Sequence, residues 1–179
     1  MMRSRCEDAY FRPRYALLHV MLVTWSFIPA RLCVLLAAFF CAFLAGAPSA
    51  RAQNLEKLEF LTDGGARTFS VEVMRTPEQQ AKGLMFRRYM PDDRGMLFTF
   101  GRNEPAYMWM KNTYIPLDMI FIDRKGAIVS IAADTEPFSE RTIESGVPVW
   151  GVVELNAGAA AKIGLKVGDR AVHPFFDGK

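Results

Sequence analysis

The stretch Met108-Trp109-Met110-Lys111-Asn112-Thr113-Tyr114-Ile115-Pro116-Leu117-Asp118 concentrates most of the side chains that could hold or transform a small molecule. Trp109 offers a flat apolar platform. Lys111, Asn112 and Asp118 add an ammonium, a carboxamide and a carboxyl group beside it. One aromatic wall with a few oriented polar groups is the make-up of a small-ligand site. Arg87, shortly after a helix stop at Gly83, and Glu154, alone in the apolar run Val152-Val153-Glu154-Leu155, are candidates to join that cleft. A carboxylate-dependent hydrolase or transferase using Asp118 or Glu154 is the rival reading, since carboxyls in unusual surroundings serve as general acids or bases. The same residues also admit an architectural role. Trp109 would then sit in the core, Asn112 and Thr113 would form a turn, and Lys111–Asp118 or Arg87–Glu154 ion pairs would close the fold. A protein of that kind would act as a structural partner in a larger complex.

The methionines suggest a different chemistry. Met74, Met85, Met90, Met96, Met108, Met110 and Met119 all follow the leader described next. Thioethers select Cu(I), and the Met-x-Met run beside Trp109 could cap such an ion. The plainer alternative is that methionine fills irregular gaps in a small core.

The N-terminal region has the layout of a secretory signal peptide: arginines, an apolar run from Leu32 to Leu44, then small residues at Ala50 and Ala52 around Arg51. Cleavage after Ala52 leaves residues 53–179 as a single exported domain, periplasmic or secreted. The apolar runs on either side of Arg31 are too short to span a bilayer, so no lasting membrane insertion is expected. A start at Met21 rather than Met1 would give a leader of more ordinary length.

Removing the leader changes the composition. Its three cysteines (Cys6, Cys33, Cys41) go with it, so the exported part must be stable without disulfides. Taking its six arginines and two acids from 22 basic and 19 acidic residues leaves a mature charge of −1. A near-neutral domain gives no electrostatic case for nucleic acid or anionic lipid. His173 is then the only histidine, which excludes zinc sites built on two or three of them. No nucleophile elbow, phosphate-cradling glycine loop or dinucleotide fingerprint occurs, and no cofactor is implied. A small polar ligand or a cell-envelope component is the expected partner of a monomer.

Short strands must position these residues. Leu58–Leu61 and Phe69–Val73 flank Asp63-Gly64-Gly65 as a hairpin. Thr76-Pro77-Glu78 opens a short helix that stops at Gly83. Strands are predicted over 95–100, 106–111, 117–123, 127–133, 149–155 and 169–173, with a second helix over 157–163. In the 106–111 strand, Trp109 and Lys111 would share one face, and Met108 and Met110 the other. The segment Thr135–Pro148, with two prolines and no usable period, reads as a long loop. Arg141 in that loop could reach an anionic ligand, and Trp150 beyond it could line the mouth of the barrel. The fold class is α+β, mainly antiparallel β, with a small barrel-like sheet and two short helices.

Gly83-Leu84-Met85-Phe86-Arg87, Gly95-Met96-Leu97-Phe98, Trp109-Met110-Lys111-Asn112-Thr113, Pro116-Leu117-Asp118 and Glu154-Leu155-x-Ala157-Gly158 occur here in order. Together they resemble the domain of unknown function 192 family, over roughly residues 58–173. The resemblance implies a compact, mainly β fold in secreted, periplasmic and standalone proteins. It implies no activity, so function must come from the residues themselves.

Overall fold

The structure, a computed structural model, describes residues 54–176. The signal peptide, its cleavage after Ala52 and the choice between Met1 and Met21 lie outside the described residues. Period-two alternation from Phe69 to Val73 does what it should. Strands β1 (Leu55–Thr62) and β2 (Gly65–Met74) form an antiparallel hairpin in register from Leu55↔Glu72 to Thr62↔Gly65. Its turn is closed by Thr62, whose hydroxyl donates to the Gly65 carbonyl at 3.0 Å. Helix α1 (Pro77–Lys82) starts with a capping box: Thr76 Oγ1 accepts from Gln79 N–H, and the Gln79 side chain accepts from Thr76 N–H. Gly83, at φ 46°, ends it in the left-handed region that favours glycine.

Strand β3 (Arg94–Met108) runs parallel to β2 through Ser70↔Arg94 to Met74↔Phe98, then pairs antiparallel with β6 (Ile143–Asn156). Strands β4 (Leu117–Ile122) and β5 (Ile128–Thr135) form a second hairpin, and β4 also pairs with β6. The short helix α2 (Ala159–Lys162) and strand β7 (Arg170–Val172) complete the chain. The sheet order is β5-β4-β6-β3-β2-β1-β7. Its two ends meet: Ala127 bridges Arg170, Ile128 N–H donates to Asp169 O at 2.8 Å, and Ala171 N–H donates to Gly126 O at 2.7 Å. This is the curled, barrel-like, mainly antiparallel α+β fold expected from the sequence. Gly126 is required at the junction, because a Cβ there would lie 2.3 Å from the Ala171 carbonyl oxygen.

The curl separates two apolar clusters, and strand alternation assigns residues to them. Ile120, Ile122, Val153 and Leu155 join Leu58, Phe60, Val71 and Leu97 on one side. Met119, Phe121 and Val152 join Met96, Phe98 and Met110 on the other. Strand β4 is buried on both faces, which explains its unbroken apolar run. Six of the seven methionines (Met74, Met90, Met96, Met108, Met110, Met119) sit in or against the second cluster. That is the placement of gap-filling core residues.

Two boundaries differ from the sequence reading. The strands expected at 95–100 and 106–111 are one strand, β3, which ends at Met108; Trp109 onward leaves the sheet. The expected loop Thr135–Pro148 is a loop only over 136–142, since β6 begins at Ile143. Both errors have one cause. Beyond Thr99 and Val149, β3 and β6 run on as a two-stranded arm, interrupted by register shifts and exposed at most positions. With only Ala106 and Ser145 buried there, apolar–polar alternation disappears. Pro105 and Pro148 oppose each other in the arm, where a missing N–H is tolerated. Ser145 helps to hold it: its hydroxyl accepts from Ala106 N–H at 3.0 Å and donates to Val147 O at 2.6 Å.

Candidate functional site

A cavity of about 320 Å³ lies between α1 with its following loop and the outer half of β3. One wall is Leu84 and Met85, and the other is Phe98, Phe100, Ala106 and Met108. Trp109 and Tyr107 stand at its rim. The helix is fixed in place by Gln80, whose side-chain amide donates to Met74 O at 3.1 Å and to Thr99 O at 3.0 Å. Gly83 lets the chain approach Phe98, whose Cζ would be 3.1 Å from any Cβ there.

Two buried polar side chains reach this lining, Thr113 and Glu154. Thr113 Oγ1 donates to Lys111 O at 3.2 Å, which leaves its oxygen lone pairs available. Glu154 follows from β6 alternation. It shares the face of Val152, pairs with Met96 and Met119 on either side, and therefore points toward the second cluster, where the cavity lies. It is only 4% exposed. Its carboxyl has no hydrogen-bond or ionic partner among the described residues. Burial alone pushes its pKa up to about 8, so the group is mostly neutral at pH 7.

The structure divides the residues singled out from the sequence. Trp109 lines the cavity and is 51% exposed. Lys111 stands beside it, with Nζ 5.5 Å from the ring centroid and 3.7 Å from Glu140 Oε1. The strand geometry expected to align them is replaced by a turn in which Thr113 N–H donates to Met110 O at 3.0 Å. Asn112 makes this turn, at φ 55°, and its carbonyl accepts from Phe86 N–H at 2.9 Å. Its amide meets Met85 Sδ at 3.9 Å.

Asp118 is elsewhere. It is fully buried, Oδ1 accepting from Asp134 N–H and Oδ2 from Ala160 N–H, each at 2.9 Å. It therefore neither meets Lys111 nor faces the cleft around Trp109. Its alternation places it opposite Met119, on the side of α2. Arg87 does not pair with Glu154. It forms a two-pronged ion pair with Glu72, Nη2 lying 2.6 Å from Oε2 and Nη1 meeting Oε1, and this contact raises the guanidinium pKa. Trp150 stacks on Phe175 at 6.0 Å, with the Arg124 guanidinium 5.1 Å from its ring. Arg141 is exposed in the 136–142 loop. The loop Gly83–Met85 and Thr113 also line the cavity. Gly83-Leu84-Met85 was visible only as a motif, with no polar side chain to mark it as lining.

The DUF192 family profile, described as Uncharacterized ACR, matches residues 59–173. No curated protein matches this chain. A crystal structure from Sinorhizobium meliloti 1021, described as a candidate transcription regulator, is 45% identical. It superposes with a TM-score of 0.65 over 67% of this chain and 94% of that one. A protein of unknown function from Novosphingobium aromaticivorans DSM 12444 is 36% identical, with a TM-score of 0.66 over 72% of this chain and 94% of that one.

Proposed function

The chain belongs to the DUF192 family, and because that membership carries no activity we propose a function from the cavity itself: a binding module for a small molecule held between α1, β3 and Trp109. The observation that carries this reading is Glu154. A lone buried carboxyl is costly to the fold and does nothing for packing. Its position in a concave, largely apolar site with one aromatic at the entrance is what a ligand-orienting group requires. Compared with the cleft expected from sequence, Trp109 and Glu154 remain, Lys111 and Asn112 become neighbours of the rim, and Arg87 and Asp118 become supports.

A fragment screen by ligand-observed NMR tests this. Fragments that bind the protein should weaken at least tenfold with both Trp109→Ala and Glu154→Gln. Trp109 is half-exposed, so its loss should cost the fold no more than about 1 kcal/mol. A screen without a single fragment sensitive to either substitution overturns the reading.

The raised pKa of Glu154 also favours a second reading, a general acid in an envelope hydrolase or transferase. It is the weaker one, because the buried part of the lining offers only Thr113 as a nucleophile and no base beside it. Transcription regulation, the description of the Sinorhizobium neighbour, gains no support from a mature domain of charge −1.

We infer an exported site of action, periplasmic or secreted, from the Ala50-Arg51-Ala52 pattern. N-terminal sequencing of protein recovered from the envelope fraction should begin at Gln53. Recovery only from the cytoplasm with residue 40 intact contradicts export.

A further inference from the structure

The geometry points to a small organic cation as the ligand of this cavity: an ammonium carried on an apolar body, with the ammonium against Glu154 and the body against the aromatic and thioether wall. This deepens the binding-module reading and rests on it.

Charge selects the ligand. The lining's cationic groups, Lys82 and Arg102, are both exposed, and Arg102 is engaged by Glu104 at 3.2 Å. Nothing in the buried part of the cavity pairs with Glu154, whose carboxyl is protonated at rest, so the charge that would balance its ionised form must come from the occupant. A neutral apolar guest would leave the carboxyl unpaired, and an anion would be repelled once the carboxyl ionised. A cation satisfies it, and the aromatic side chains Phe98, Phe100, Tyr107 and Trp109 line the same cavity, Trp109 already holding the Lys111 ammonium 5.5 Å from its ring centroid. Glu154 cannot turn to solvent instead, since its backbone is paired with Met96 and Met119 on both sides. The volume of about 320 Å³ suits a ligand of a few to about ten non-hydrogen atoms.

Binding such a cation carries a proton signature. The resting carboxyl holds its proton, and the bound ammonium requires the carboxylate, so each ligand entering below pH 8 releases one proton to solvent. Apparent affinity therefore tightens as pH rises toward 8, about tenfold per unit. Other titratable groups do not reproduce this. Lys82 on α1 and Arg102, Glu104 and Tyr107 on β3 are exposed at the rim, and on β4 Asp118 faces the opposite side with both oxygens bonded.

Calorimetry with hexylammonium, 1-hexanol and hexanoate at pH 6, 7 and 8 tests the inference. Hexylammonium should bind at least tenfold more tightly than hexanol at pH 8, weaken about tenfold per unit toward pH 6, and release close to one proton at pH 6. Glu154→Gln should abolish its advantage over hexanol. Should that variant not fold, the pH series on the unsubstituted protein decides alone. If hexanol binds as well as hexylammonium and both depend on Trp109, the cavity is a ligand site for neutral molecules and the cation assignment is overturned. If none of the three binds, and the fragment screen is also empty, the cavity reading falls with it.

Discussion

Glu154→Gln should flatten the pH dependence of stability. In the native protein the Glu154 carboxyl keeps its proton up to about pH 8, whereas in the unfolded chain it gives the proton up near 4.5. Between those values the native state binds more protons than the unfolded state, so raising the pH favours unfolding. The expected slope is about 1.4 kcal/mol per pH unit, and the accumulated loss between pH 5 and pH 8 is on the order of 4 kcal/mol. Below about 4.5 both states are protonated and this contribution is complete; above about 8 both are ionised and no further loss occurs. Glutamine has nearly the same shape and does not titrate. Urea unfolding midpoints at pH 5, 6, 7 and 8 should therefore fall steeply for the unsubstituted protein and much less for the variant. Parallel curves for the two proteins would show that Glu154 is not buried as described.

Asp118→Ala should cost about 3–5 kcal/mol, from two hydrogen bonds to a carboxyl worth roughly 1.5–3 kcal/mol each and the donors left behind. The two bonds join separate parts of the chain. Gly158 precedes α2 without any side chain to cap it, and Asp118 Oδ2 supplies the acceptor from another strand by taking Ala160 N–H. Oδ1 takes Asp134 N–H, at a residue with φ 50° beside the irregular pairing of β4 with β5. Asp118→Asn keeps one acceptor but turns an N–H₂ toward the other donor, and should lose roughly half as much. Thermal unfolding followed by circular dichroism measures both. A variant of Asp118 that folds normally but fails only in ligand binding would return this residue to the cleft.

Most of the fold was legible because it rests on local chemistry. The capping residues of α1, the glycines after Asp63 and the alternation of β2 each specify their own structure. The two-stranded arm was not, since only Ala106 and Ser145 on it are buried and proline sits in both strands. The candidate site was legible in part. Glu154 stood out because one acid in a fully apolar strand is conspicuous in sequence, and strand alternation then fixes which way it points. Asp118 misled for a related reason. An acid next to Trp109-Met110-Lys111-Asn112 suggests a shared cleft, yet the turn at Asn112 and the entry to β4 at Leu117 carry it to the other side of the sheet. Its real partners, Ala160 and Asp134, are main-chain donors far along the chain, and no residue type announces a backbone N–H. The wall formed by Gly83, Leu84 and Met85 stayed hidden because apolar lining and apolar core look alike until the space between them is seen.

The junction of Gly126–Ile128 with Asp169–Ala171 has a consequence for the assembly of the sheet. The sheet is shut by β7, which follows all the other strands in sequence, so the flank of the first hairpin stays open until those residues have joined it. Until that strand docks, the outer edge of β1 offers unpaired N–H and C=O groups, so the same few hydrogen bonds that close the sheet also cover an edge on which another strand could otherwise pair.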